Sequence, residues 1–189
     1  ERIVVELDKT LASSCPELGL QHINHLGITG ALAPALSITP EQFTCQSADA
    51  RLAEWIMLNQ PTIECIEHYA KEFRLTNKRT AFLKAVTRLK DLPFEDAKRC
   101  LDVFGQLGWL RGNPPDKDLD RLLIEFDQSN QIKVPFRRWL EIRERVRHVS
   151  VDKLSEQGLS GKALGDAIYA ERLSVLSTEI SAPGTAPGL

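Results

Sequence analysis

Ser47-Ala-Asp-Ala-Arg-Leu52-Ala-Glu-Trp55-Ile56-Met-Leu58-Asn59-Gln-Pro61-Thr-Ile63-Glu-Cys-Ile66-Glu-His-Tyr69-Ala-Lys-Glu-Phe73 reads as two helices separated by a proline. Ser47 is suited to cap the first, which is expected to run to about Asn59. Leu52, Trp55, Ile56 and Leu58 are its apolar positions. Pro61 suits the first turn of the second helix, which carries Ile63, Ile66, Tyr69 and Phe73 at helical spacing. The same punctuation recurs outward in both directions, and no run alternates with the two-residue period of a strand. The expected fold class is therefore all-α, a multi-helix array.

On the N-terminal side, Ile3, Val4, Leu7 and Leu11 share a stripe over residues 1–13. Pro16 opens a second helix, and Gly27 looks like its stop. Gly30 to Pro40 is rich in Gly, Pro and small residues and reads as a loop or a short helical turn. On the C-terminal side, Thr76 caps a helix from Asn77 to about Lys90 with Phe82, Val86 and Leu89 inward. Pro93 starts another, with Phe94, Ala97, Leu101 and Phe104 inward. Pro114 and Pro115 lead into Asp116, Asp118 and Asp120, acidic residues favoured near a helix N-terminus. Pro135 opens a helix to about His148, Ser150 caps a short one ending at Gly158, and Ser160 caps a last one through Leu164, Ile168 and Leu176. The end of the chain from Thr178 is Ser, Ala, Pro, Gly and Thr, and is expected to be disordered.

The chain has 189 residues, 42% hydrophobic and 26% charged, which suits one ordinary domain or two small helical ones. No apolar run reaches the length of a membrane span, so no membrane is among the expected partners. Cys15, Cys45, Cys65 and Cys100 are widely spaced in apolar surroundings and read as reduced core thiols, which implies a cytoplasmic protein. No signal-peptide pattern follows Glu1, and the chain reads as starting inside a longer gene product or after processing.

The net charge of −2 conceals an uneven pattern. Residues 1–70 are net −6, 71–100 are +5, 101–132 are −3, and 133–147 are +4. The two basic segments are either solvated helix faces or a surface for a polyanion. The second contains Arg137, Arg138, Arg143, Arg145 and Arg147, whose planar forks match phosphate oxygens. Glu141 and Glu144 on the same helix offer them ordinary ion pairs instead. Gly158-Leu159-Ser160-Gly161-Lys162 places glycines, a hydroxyl and a lysine before a helix N-terminus, an arrangement that suits an anion. A plain corner between two helices explains the same residues.

No nucleophile elbow, P-loop, dinucleotide fingerprint or zincin motif occurs. Asp116, Asp118 and Asp120 lack the glycine and final Glu of a calcium loop. His22 and His25 share a helix face but have no third ligand at helical spacing, and His68 and His148 stand alone. No residue of the chain is expected to be catalytic or to bind a metal.

Four segments in collinear order resemble a known family. Glu1-Arg2-Ile3 with Glu6-Leu7 and Leu11 is similar to the E-R-I-x-x-E-L neck segment of the superfamily of class II tRNA nucleotidyltransferases and bacterial poly(A) polymerases. Gly19-Leu20, Leu26-Gly27-Ile28 and Leu32-x-Pro34 continue the likeness. Phe73-Arg74-Leu75-Thr76-Asn77-Lys78 resembles the L-R-L-S-N-K entry to a body helix. Gly158 to Gly165 resembles the tail motif G-x-x-G-x-x-[IL]-G, followed by a helix with Arg172.

The resemblance implies that residues 1–46 are the end of the neck, 47–132 the helical body, and 133–177 the helical tail, with 178–189 a disordered C-terminus. It implies a parent enzyme whose catalytic head lies upstream, uses Mg²⁺, and adds nucleotides from CTP and ATP to tRNA 3′ ends. The piece alone is then expected to be inactive. The family's body and tail grip tRNA, so the expected RNA contacts are Arg137, Arg138, Arg143, Arg145, Arg147, Lys153, Gly161 and Lys162. A neutral C-terminal end favours the CCA-adding branch over poly(A) polymerase, whose members tend to end in very basic extensions. The remaining alternative is a helical protein-interaction domain with no nucleic-acid role, which the acidic first third motivates.

Overall fold

The structure, a computed structural model, describes residues 2–111, 116–127, 135–149, 151–156 and 158–181. Among them the chain is all helical, with eleven helices and no strand. They are α1 (Arg2–Ala12), α2 (Pro16–His25), α3 (Ile28–Leu32), α4 (Ala48–Leu58), α5 (Ile63–Glu72), α6 (Asn77–Leu89), α7 (Ala97–Gln106), α8 (Lys117–Asp127), α9 (Phe136–Arg147), α10 (Val151–Glu156) and α11 (Gly161–Ser181). No helix among the described residues is long and apolar enough to cross a membrane.

Local chemistry sets most helix starts. Ser47 Oγ accepts from Ala50 N, and Thr76 Oγ1 accepts from Arg79 N, as the sequence suggests. Two of the four proline-led starts are corrected, while α2 does begin at Pro16. Helix α5 begins after Thr62, whose Oγ1 accepts from Cys65 N, and Pro61 precedes that cap. Helix α7 begins after Asp96, whose carboxylate accepts from Arg99 N, three residues beyond Pro93. A proline permits a first helical turn, but a side-chain acceptor satisfies one of its open N–H groups, and the acceptor fixes the start. Gly27 does end α2, in the left-handed conformation at φ 72°, and leads directly into α3. Asp116 caps α8 by accepting from Asp118 N and Leu119 N, so the alternating aspartates are helix-start charges. Ser150 lies outside the described residues. Helix α11 runs through Ser181, so residues 178–181 are helical rather than disordered, while 182–189 lie outside the described residues.

Contacts gather the chain into two compact units, each made of two separate segments. The first is Glu1–Lys90 with Asp116–Val134; the second is Asp91–Pro115 with Pro135–Leu189. Residues 47–132 are thus shared between the two.

In the first unit, α4 packs against α1, α6 and α8 and is buried almost all round, from Leu52 through Met57. Trp55, Ile56, Tyr69, Phe82, Val86 and Phe126 fill the space around it, and Phe82 meets Phe126 edge-on. Gly19 lets α2 approach α1: a Cβ there would stand 2.4 Å from Thr10 Cγ2. The loop before α4 is tied down by charged groups. Glu54, fully buried, accepts from Thr44 N, Thr44 Oγ1 and Cys45 N. Glu125 accepts from the amides of Gln46 and Ser47 and from the Ser47 hydroxyl. Arg51 donates to the carbonyls of Cys45, Leu11 and Ser13, which joins this loop to the end of α1.

The acidic and basic segments of this unit neutralise one another. Arg79 lies between Asp8 and Asp49, at 2.6 Å from each. Burial opposes its charge, but the hydrogen bonds to the two aspartates outweigh that and raise its pKa. Lys78 pairs with Asp118 at 2.8 Å, and Lys84 with Glu67 at 2.6 Å. The hydrogen bond from Lys78 holds the Asp118 carboxyl below its ordinary value.

In the second unit, α11 packs on α7 and α9. Trp139 is fully buried, stacked on Phe94 with centroids 4.0 Å apart and planes 9° apart, and edge-on to Phe104. Leu176 is the buried residue of α11, with Leu164 and Ile168 half-buried.

All four cysteines are free thiols, but only two are core residues. Cys45 and Cys100 are buried. Burial, then the carboxylates of Glu54 and Glu125, push the Cys45 thiol well up. Burial, then Asp96, pushes Cys100 up to about 12. Cys15 is exposed and Cys65 half-exposed, against expectation: Cys15 occupies the turn before Pro16, and Cys65 the first turn of α5, where it meets the Thr62 hydroxyl.

Candidate functional site

Helix α9 carries the dense basic run, and its apolar residues decide where each arginine points. Phe136, Trp139, Leu140, Ile142 and Val146 face the core. Arg143 falls on that same face and is buried at 3% exposure. Its guanidinium lies over the Trp109 ring, 5.1 Å from the centroid, and pairs with Glu144 at 2.7 Å. A group so enclosed is a packing element, and phosphate could reach it only after the unit opens. Arg147 is also largely enclosed, with Glu144 at 3.5 Å.

Arg138 and Arg145 converge on one carboxylate. Arg145 Nη1 donates to Glu179 Oε2. Arg138 Nη2 lies 3.8 Å from the same oxygen and donates to the Glu179 carbonyl at 3.0 Å. That carbonyl is among the last of α11, so Arg138 satisfies a helix end. Arg138 also meets Glu141 at 3.5 Å, while its Nε is buried without an acceptor among the described residues. The Glu179 hydrogen bond raises the pKa of Arg145. Arg137 is exposed, with no ion pair among the described residues.

An open groove of about 390 Å³ is lined by Arg145 of α9, His148 and Val149 just after it, Lys153 and Leu154 of α10, and Glu171 and Val175 of α11. It brings together Arg145 of α9 and Lys153 of α10, with Val149, Leu154 and Val175 as its apolar lining. Glu171 shares the groove but makes no hydrogen bond or ion pair among the described residues. His148 Nδ1 lies 2.6 Å from the Glu144 carbonyl.

The Gly158–Lys162 corner is exposed. Gly158 has φ +80° and Gly161 φ +55°, values that favour glycine, and nothing lies within 4 Å of where either Cβ would stand. The backbone turn therefore accounts for both glycines. Lys162 is exposed in the first turn of α11. Arg172, ten residues further on, donates to the Leu110 carbonyl at 3.1 Å. Burial, and then the charge of Arg147, lower its pKa.

Of the expected contact residues, Arg137, Arg145, Lys153, Gly161 and Lys162 are on the surface, and Arg145 and Lys153 meet in the groove. Arg138 and Arg147 are half-buried, and Arg143 is core. Sequence reasoning missed Glu179 and Glu171, because only the packing of α11 on α9 and α10 brings them to these cations. No group of three or more His, Cys, Asp or Glu side chains that could hold a metal comes together among the described residues. His22 and His25 are exposed at the end of α2. Compared with models of protein families, with curated proteins and with solved structures, the chain matches none.

Proposed function

We propose that this chain is the tRNA-holding helical portion of a CCA-adding tRNA nucleotidyltransferase. In this reading the parent enzyme adds nucleotides from CTP and ATP to tRNA 3′ ends in the cytoplasm. Its catalytic carboxylates and Mg²⁺ belong to a head outside the chain, and this portion supplies grip. The observation that carries the reading is the groove in which Arg145 and Lys153 meet, with exposed Arg137 on the same helix as Arg145 and exposed Lys162 at the start of α11. Duplex RNA is held mainly through backbone phosphates and 2′-hydroxyls, for which cations on a groove edge suffice. The four collinear motifs that resemble the family's support the same reading.

The arginines with carboxylate partners favour a second reading, a helical protein-interaction domain whose basic run serves folding. A binding measurement separates the two. With tRNA lacking its 3′ CCA, replacing Arg137, Arg145, Lys153 and Lys162 together by alanine is expected to weaken binding by at least about tenfold. Equal affinity for the substituted and unsubstituted chains, measured by fluorescence anisotropy, removes the phosphate role and leaves the second reading.

A further inference from the structure

The contact of Arg138 and Arg145 with Glu179 has the form of an occupied anion seat. Two guanidinium forks from one face of α9 address one carboxylate oxygen, and Arg138 also holds the carbonyl of the same residue. A phosphodiester offers the same pair of anionic oxygens at similar spacing, and Arg recognises both groups through the same fork. The seat borders solvent: the Arg145 side chain is 56% exposed, whereas Glu179 is 16% exposed. Arg145 belongs at once to this seat and to the groove. A phosphate entering this seat from the groove therefore competes with Glu179 for the same donors. Helix α11 is positioned to yield, since Glu179 lies in its last turn, where backbone carbonyls have no partner within the helix.

We infer that Arg138 and Arg145 form a phosphate seat which Glu179 fills in the unbound chain, and that RNA binding exchanges this carboxylate for a backbone phosphate. The inference rests on the tRNA-holding reading and adds a built-in competitor to it. The competitor sets a threshold. An isolated phosphate gains little by displacing a tethered carboxylate, whereas a duplex that also engages Lys153 and the groove gains enough to do so. The exchange moves no covalent bond; a charge-assisted pair within the chain is replaced by one across the interface.

Glu171 supplies the control. It lines the same groove, carries the same charge and has no partner among the described residues. If only the total charge near the groove mattered, Glu179→Gln and Glu171→Gln would tighten RNA binding equally. The seat predicts that Glu179→Gln tightens binding of a short RNA duplex by roughly fivefold or more, while Glu171→Gln changes it less than about twofold. Hydrogen exchange gives a second readout on the unsubstituted chain: amides of residues 176–181 exchange faster with RNA bound, because the end of α11 loses its anchor. Equal effects of the two substitutions, or unchanged or slower exchange at 176–181, overturn the seat while leaving the tRNA reading in place. Absence of RNA binding by the unsubstituted chain and by both variants overturns the reading itself, and the seat with it.

Discussion

Replacing Trp139 by alanine is expected to lower the unfolding free energy by about 4 kcal/mol. Trp139 is fully buried on α9 and joins three parts of the second unit. Its ring lies flat on Phe94, 4.0 Å away, from the segment before α7, and meets Phe104 of α7 edge-on at 5.9 Å. Phe104 in turn contacts Trp109, which supports the buried Arg143. Alanine removes the hydrophobic area and both ring contacts, and leaves a cavity against Phe94 and Phe104. Trp139→Phe keeps the stacking and is expected to cost roughly half as much. Urea unfolding followed by circular dichroism measures both; a loss below about 1 kcal/mol for alanine would show that the aromatic stack does not hold this unit together.

The second large effect is expected at Glu54. Glu54→Ala should cost about 3 kcal/mol, because a buried carboxylate disappears and its donors stay behind. Thr44 N at 3.0 Å, Cys45 N at 3.0 Å and the Thr44 hydroxyl all point at it, and Cys45 is itself buried. Glu54→Gln keeps one acceptor oxygen but sets an amide NH₂ against backbone N–H groups, so it recovers only part of the loss. Glu54→Leu tests whether shape alone suffices. A leucine chain as stable as the unsubstituted one in urea would show that the loop before α4 needs no anionic anchor.

Glu54 also marks where the sequence stops being legible. The sequence places a glutamate between Ala53 and Trp55 and names no partner for it. It is buried because the Thr44–Cys45 loop folds over it, and no local pattern announces that partner. Features whose causes lie within four residues were legible: the caps at Ser47 and Thr76 and the stop at Gly27. Pro61 and Pro93 misled by two and four residues because the acceptors at Thr62 and Asp96, and not the prolines, fix the helix starts. The interleaving of residues 91–115 with 135–189 was not legible, since it depends on which aromatic faces meet.

The candidate site divides the same way. Which residues are basic is plain in the sequence, and the +5 segment faces acidic partners, with Arg79 on Asp8 and Asp49 as its clearest case. Which arginines remain at the surface depends on the core face of α9. That face takes Arg143 inward beside Ile142 and leaves Arg137 and Arg145 out. The pairing of Arg145 with Glu179 spans 34 residues and arises from the docking of α11.

The tRNA-holding role is tested most directly by the salt dependence of tRNA binding by the unsubstituted chain. Anisotropy titrations with tRNA lacking its 3′ CCA, repeated from low to physiological salt, give the slope of log affinity against log salt concentration. Four surface cations on phosphates predict a slope of roughly −3 to −4. A flat line, or no binding at the lowest salt, would contradict the role and leave this chain a helical domain whose charges serve its own fold.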